Sequence, residues 1–331
     1  GAGYRFVSLF KLLDRPRLYR CGIRLSRNIN LSRIDRLSVG TFRRRDFAGA
    51  AIDLPPLNVK ALLRSHHLDP HKGLGQNFLV DQKALKKIVD YADVTAEEEV
   101  LEIGAGLGSL TRLLARSAKR VTAVEIDRHL VPILQEVMSP FNNVNIVQGD
   151  ILELNPAELM GGANYIVVAN IPYFITSAII RHLLTSSQKP SRIVLTMQQE
   201  VAERICAEPG NLSLLALSVQ VFGTPQIGVS IPASAFFPPP KVDSATLRVQ
   251  IHDQPLISDK QLDYFFTLAK IGFSQKRKTM RNTLSAGLHC SGDEAAGLLQ
   301  AAGIDPMRRA QTLDLVEWKT LVGEYESWLQ K

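Results

Sequence analysis

The stretch "EEVLEIGAGLGSLTRLLARSA", residues 98–118, constrains this chain most. It reads as a buried apolar strand, a glycine-rich turn at Gly104-Ala105-Gly106-Leu107-Gly108 and a helix with apolar residues at helical spacing. The same order then recurs: strand "RVTAVEID", helix "RHLVPILQEVM", strand "VNIVQGD", a short helix, strand "YIVVAN", helix "TSAIIRHLLTS", strand "RIVLTMQ". Strands alternating with helices of this length imply an α/β fold with a parallel, doubly wound sheet. Upstream, "NVKALLRSHHL" reads as a short amphipathic helix, "DPHKGLGQNFLVD" as a loop punctuated by glycine and "QKALKKIVDYADV" as a helix.

With 331 residues, 45% of them hydrophobic and 21% charged, the chain is long enough for a full core and for two domains. No run of about 18 apolar residues is present, so no transmembrane helix is expected. The three cysteines, Cys21, Cys206 and Cys290, lie far apart without metal-ligand spacing, which points to a reducing compartment and to no metal site.

The net charge of +7 is unevenly spread: residues 1–68 hold 14 of the 39 Lys+Arg but 4 of the 32 Asp+Glu. The folded body is therefore slightly acidic, and total charge is no nucleic-acid footprint for it. The region 1–56 is rich in Arg and Ser and lacks a periodic core pattern, which fits a disordered or spurious extension, a transit peptide or an RNA-binding arm. It has no apolar segment of the kind that directs secretion. Three parts are expected: this basic extension over 1–56, an α/β domain over 57–252, and a smaller all-helical domain over 253–331 that begins after strand "ATLRVQI" and the "HDQP" break.

The chemistry is expected at the strands' carboxyl ends, where open α/β sheets bind ligands. The spacing at Gly104, Gly106 and Gly108 is G-x-G-x-G, not the dinucleotide G-x-G-x-x-G, and alone it is also compatible with a tight turn that binds nothing. Glu125 ends the second strand, 21 residues after Gly104, where a carboxylate can accept from both hydroxyls of a ribose. Asp150 ends the third and can accept from the exocyclic amine of an adenine; Asn170 ends the fourth. Each alone could be a turn residue, but together with the glycines they describe a nucleoside pocket.

A nicotinamide dehydrogenase would account for Gly104 and Glu125 but not for "NIPY", residues 170–173. Pro172 stops the strand and fixes the backbone. Within four residues the segment then offers a side-chain amide oxygen, a backbone carbonyl of Ile171 or Pro172, and an aromatic ring. Two acceptors can orient an amine's lone pair while the ring stacks on a flat base, so the chemistry needs positioning more than proton transfer.

These motifs carry a resemblance. "KGLGQNFLVD", "VLEIGAGLGSLT", "AVEID", "GDIL", "ANIPYFIT", "MQQEVAERI", "IPASAFFPPPKVDSATLRV", "GFSQKRKTMRNTL" and "RRAQTLDLVEW" resemble the KsgA-type rRNA adenine dimethyltransferases from about Lys72 to about Leu315. The resemblance implies a class I methyltransferase sheet of the Rossmann-like type with a smaller C-terminal helical domain. It also implies S-adenosylmethionine as cofactor, and two methyl transfers to N6 of each of two adjacent adenosines near the 3′ end of small-subunit (16S) rRNA during ribosome biogenesis.

Carried over residue by residue, Asn77 and Leu79 would close over the methionine part of the cofactor, and Gly104, Gly106, Glu125, Asp150 and Asn170 would contact the rest. Asn170 and Tyr173 would hold the target base, with Phe236 as its second stacking face, which Phe237 could share. Lys276, Arg277, Lys278 and Arg281 form a basic run expected to meet RNA phosphates, with Arg308 and Arg309 as additions to that surface. The expected enzyme is a cytoplasmic monomer that attacks in line, with no covalent intermediate and no metal.

The family often has Pro where Ala105 stands, Leu where Ile171 stands, and Asn or Tyr where Phe174 stands. Ile171 is shared with the Erm enzymes, which methylate a large-subunit rRNA adenosine and form the nearest alternative. A non-catalytic assembly factor on the same fold is the other. His129 and His182, the histidines nearest the motifs, are expected on helices in packing or surface roles.

Overall fold

The computed structural model describes residues 54–162 and 164–330, and Leu57–Lys331 cluster as one unit. The expected extension over 1–56 lies outside the described residues except for its last three.

Helix α1 (Val59–Ser65) starts where the Asn58 side chain accepts from the Ala61 amide at 3.0 Å, and it buries Val59 and Leu63 on one face. A turn at Lys72–Leu74 leads to the two-residue strand β1 (Phe78–Leu79). Helix α2 (Gln82–Ala92) begins at an Asp81 cap on the Ala84 amide, 2.8 Å, a type of contact worth about 1 kcal/mol. It buries Ala84, Leu85, Ile88, Val89 and Ala92, the stripe expected of an amphipathic helix against a sheet.

The alternation read from the sequence follows: β2 (Glu99–Ile103), α3 (Thr111–Ser117), β3 (Arg120–Glu125), α4 (Val131–Met138), β4 (Val144–Gln148), α5 (Pro156–Leu159), β5 (Tyr165–Asn170), α6 (Thr176–Leu184), β6 (Arg192–Gln198) and α7 (Gln199–Ile205). Then come α8 (Leu214–Gln220), β7 (Gly223–Ile231), the short β8 (Phe236–Phe237) and β9 (Ser244–Ile251).

The seven-stranded sheet has the order β4-β3-β2-β5-β6-β9-β7. The five strands from β4 to β6 are parallel, whereas β9 runs antiparallel to both β6 and β7. The sequence reading foresaw the parallel part alone. Strand β7 forms the edge, and β9 returns from it to insert antiparallel between β7 and β6, on an otherwise parallel sheet. Strand β2 is buried at all five positions, as a central strand covered on both faces must be, while the edge strand β4 is not.

The chain leaves β2 toward β3 and β4, then returns to place β5 on the other side of β2. The carboxyl ends of β2 and β5 thus flank the point where strand order reverses, which opens a crevice there. Across that crevice lies a second, two-stranded sheet in which Phe78 pairs with Phe237 and Leu79 with Phe236.

Helices α9 (Leu262–Phe273), α10 (Met280–Leu288), α11 (Gly292–Ala301) and α12 (Leu315–Trp328) form the C-terminal helical region. Lys276–Lys278 lie in the turn between α9 and α10. The region's core is Trp318, fully buried, edge-on to Phe265 at 6.3 Å and stacked with Phe273 at 6.2 Å. Phe266 of α9 stacks on Phe222, just before β7, at 6.4 Å, so this core is continuous with that of the sheet.

Candidate active site

The pocket at the reversal point is floored by the glycine turn. Gly104 and Gly106 hold φ of +73° and +57°, conformations that cost an L side chain free energy. The Gly104 and Ala105 amides bond the Val124 carbonyl at 2.8 and 3.2 Å, so the loop is stitched to the end of β3. Helix α3 does not start until Thr111, so the groups facing the pocket belong to the loop and not to a helix end.

Glu125 ends β3 with its side chain buried, and its two oxygens accept from the Gly106 and Asp127 amides at 2.7 and 2.9 Å. Burial pushes its carboxyl upward from the ordinary range, against those same hydrogen bonds. Each carboxylate oxygen keeps a second acceptor position. A second acid, Glu102 on β2, was not singled out from sequence, because inside the apolar run "VLEIG" it reads as strand filler. It is 2% exposed, its carboxyl is pushed up to about 8 by burial, and its Oε2 has no hydrogen-bond partner although it lines the pocket. Buried acceptors are nearly always paired, so this orphan is a place for a ligand's donor.

The opposite wall is a strap, Leu74–Leu79, that lines the pocket and is fastened at several points. Gln76 donates to Asp127 at 2.8 Å across the crevice, and its oxygen accepts from the His71 amide at 2.7 Å. The Asn77 side chain donates to the Gly75 carbonyl at 3.1 Å, and Leu79 is buried in the main core.

At the end of β5, Asn170 Nδ2 donates to the Asn77 carbonyl at 3.3 Å. That bond fixes the amide with its nitrogen on the strap, and among the described residues its oxygen has no donor. Ile171 is buried and its amide donates to Thr196, while the Pro172 carbonyl accepts from the Ile175 amide. Of the two carbonyls considered as a second acceptor, Ile171's is therefore the one without a donor among the described residues. The Tyr173 hydroxyl lies 2.6 Å from Ser244 Oγ, a fully buried group on β9, so the ring is pinned by its tip, and burial pushes the phenol upward. Phe236 is 4% exposed and shares the pocket wall with Tyr173, whereas Phe237 sits under the Lys60 ammonium at 4.8 Å.

The structure thus brings Asn77, Leu79, Gly104, Gly106, Glu125, Asn170, Tyr173 and Phe236 to one pocket. Asp150 is not among the residues that line it; at the end of β4 its Oδ1 accepts from the Leu152 amide at 2.9 Å. In the helical region Lys276, Arg277 and Lys278 are exposed, but Arg281 is engaged with the Gly292 carbonyl at 3.0 Å and Asp293 at 3.2 Å, tying α10 to α11. Arg308 is held by both oxygens of Glu317, inside the cap that starts α12. His129 pairs with Asp127 and His182 with the Leu154 carbonyl, both structural contacts. No group of three or more His, Cys, Asp or Glu side chains among the described residues is placed to hold a metal ion.

Residues 68–321 match the ribosomal RNA adenine dimethylase family. The chain is 42% identical over 268 residues to a ribosomal RNA small subunit methyltransferase A of Dehalococcoides mccartyi, covering 81% of this chain and 92% of that one. A solved dimethyladenosine transferase of Plasmodium falciparum aligns with TM-score 0.65 and 25% identity over 76% of this chain and 98% of that one. The 23S rRNA methyltransferase ErmE aligns with TM-score 0.63 and 27% identity over 76% of this chain and all of that one.

The pocket suits the methyl donor of this family: spare acceptor positions on Glu125 fit ribose hydroxyls, and the unpartnered Glu102 oxygen, on a carboxyl that burial keeps neutral up to about pH 8, is free to pair with a polar group of the ligand. The chain belongs to the ribosomal RNA adenine dimethylase family, enzymes that methylate adenine in ribosomal RNA with S-adenosylmethionine as cofactor.

Proposed function

We propose that this enzyme dimethylates N6 of two adjacent adenosines near the 3′ end of small-subunit rRNA during ribosome biogenesis, and that Asn170, Tyr173 and Phe236 are its catalytic residues. The observation that carries the reading is the end of β5: an amide oxygen and the Ile171 carbonyl without donors among the described residues, beside a ring pinned by Ser244. The two acceptors take the two N–H bonds of the adenine amine and aim its lone pair into the pocket. Tyr173 and Phe236 supply the faces between which a flipped base sits.

Glu125 and Glu102 hold the cofactor's polar groups, the Asn77–Leu79 part of the strap covers its methionine end, and Asp150 reaches the adenine with its remaining acceptor positions. When bound, the cofactor supplies an electrophilic methyl. The protein's part is then to exclude water and align, since no side chain here needs to store charge.

Helices α9–α12 form the RNA-binding domain in this reading, with Lys276, Arg277 and Lys278 on phosphates. Arg281 contributes chiefly by holding α10 to α11. The enzyme acts as a monomer in the cytoplasm. Small-subunit specificity is supported by the 42% identity to a small-subunit enzyme against 27% to ErmE.

Labelled S-adenosylmethionine, offered with unmethylated small subunits and separately with large subunits and mapped by primer extension, tests the reading. Label at two adjacent small-subunit adenosines is expected. Label on the large subunit alone would transfer the enzyme to the Erm side, and label on neither would leave a ribosome assembly factor that has kept its pocket.

A further inference from the structure

Directly after Tyr173 stands Phe174, which has no polar atom to offer and yet is 66% exposed, while Ile171, two residues before Tyr173, is buried. Single exposed apolar side chains are ordinary on a protein surface, but this one is an aromatic ring that adjoins the ring assigned to the target base and lies against Gly75 and Pro172 of the pocket wall.

The ring is supported on one side. A side-chain carbon added to Gly75 would stand 2.9 Å from the Phe174 ring and 3.4 Å from Pro172, so the ring rests directly on the strap's backbone. Gly75 also holds φ of +64°, closing the turn that carries the exposed Lys72. One side of the ring is thus propped by the strap and much of the rest faces solvent, one residue away from the ring assigned to the target base.

We propose that Phe174 is the stacking platform for the nucleotide that adjoins the adenosine held by Asn170 and Tyr173. A base drawn out of its stack leaves its neighbour without a partner, and an aromatic surface at the pocket mouth replaces it. For a substrate with two adjacent target adenosines, the platform keeps the second within reach while the first is methylated. The inference rests on the substrate reading above and adds a residue that touches the RNA outside the pocket.

Phe174→Ala, Phe174→Leu and Phe174→Trp, made in the full chain, test it with small subunits as substrate. Phe174→Ala is expected to raise KM for the subunit by roughly 5–150-fold, the span set by one base–aromatic stack. Calorimetry should find the dissociation constant for S-adenosylmethionine unchanged. Primer extension at limiting turnover should find label biased to one of the two adenosines. Phe174→Trp should restore KM and Phe174→Leu should not.

An unchanged KM overturns the platform, as does equal rescue by Leu, which would mean packing. A cofactor dissociation constant that rises in step with KM overturns it too, making Phe174 a prop for the strap. The wild-type rate, measured in the same series, reports separately on the substrate reading.

Discussion

The two walls of the pocket are built on opposite principles. At the carboxyl ends of β2 and β3, Glu102 and Glu125 are 2% and 4% exposed, and Glu125 is held by two backbone amides of the turn around it. At the end of β5, Asn170 and Tyr173 are only half-buried, and their hydrogen bonds run to distant segments, the strap and β9. The first wall is a preformed cradle for a small ligand that every turnover brings in. The second is a clamp held at its edges, open on the side from which a polymer must enter. Cradle residues should therefore govern cofactor affinity, and clamp residues the rate.

The sharpest break in that division is Asn170→Ala. Removing the amide oxygen should lower kcat for methyl transfer by roughly 10²–10³-fold or more, the cost of deleting one preorganised polar group at a reacting centre. Because the cofactor cradle is left intact, calorimetry should find the cofactor dissociation constant changed only severalfold, through loss of the bond to the Asn77 carbonyl. If affinity and rate collapse together, the two walls are one unit.

Glu125→Ala reverses the pattern. It removes charge-assisted hydrogen bonds worth roughly 1.5–3 kcal/mol each, so the dissociation constant for S-adenosylmethionine should rise tenfold or more. Saturating cofactor should recover most of the rate, and unchanged affinity by calorimetry would remove Glu125 from the cradle.

A smaller effect separates RNA from cofactor. Replacing Lys276, Arg277 and Lys278 by Gln should weaken small-subunit binding without altering cofactor affinity. For every cation that meets a phosphate in the wild type, its removal should reduce the slope of log affinity against log salt by about 1. A salt slope equal to wild type would show that this turn does not meet the RNA.

The smallest effect is on stability. The Glu102 carboxyl, pushed up to about 8 from 4.5, binds its proton more tightly in the folded chain than in the unfolded one. Its contribution is therefore most favourable below pH 4.5 and is lost as pH rises toward 8. Glu102→Gln keeps the neutral shape at every pH, so the free protein should melt several degrees higher than wild type at about pH 9 and no higher at about pH 4. Equal melting temperatures at the alkaline end would mean the carboxylate is solvated.

Much of the cradle was legible in the sequence because its constraints are local. The glycine spacing, the apolar run before it and an acid at the next strand end are each written within a few residues. The clamp's chemistry was legible for the same reason, in "NIPY". What escaped notice depends on pairings between distant segments. Nothing near Gln76 announces Asp127, nothing near Tyr173 announces Ser244, and β7, with Gly223, Pro225 and Gly228 in it and mostly half-buried or exposed, does not read as a strand until β9 pairs with it. Charge was misleading for a related reason: Arg281 and Arg308 look like free cations in a basic run, yet the fold supplies each with a partner. Asp150 stands just past its expected strand end, where it caps a turn at the Leu152 amide and does not line the pocket.

The most direct measurement is a crystal structure of the enzyme with S-adenosylhomocysteine and an oligonucleotide carrying the two adjacent adenosines. One adenine is expected between Tyr173 and Phe236, its N6 donating to the Asn170 side-chain oxygen and the Ile171 carbonyl. An adenine seated elsewhere, or one whose N6 faces away from Asn170, would contradict it.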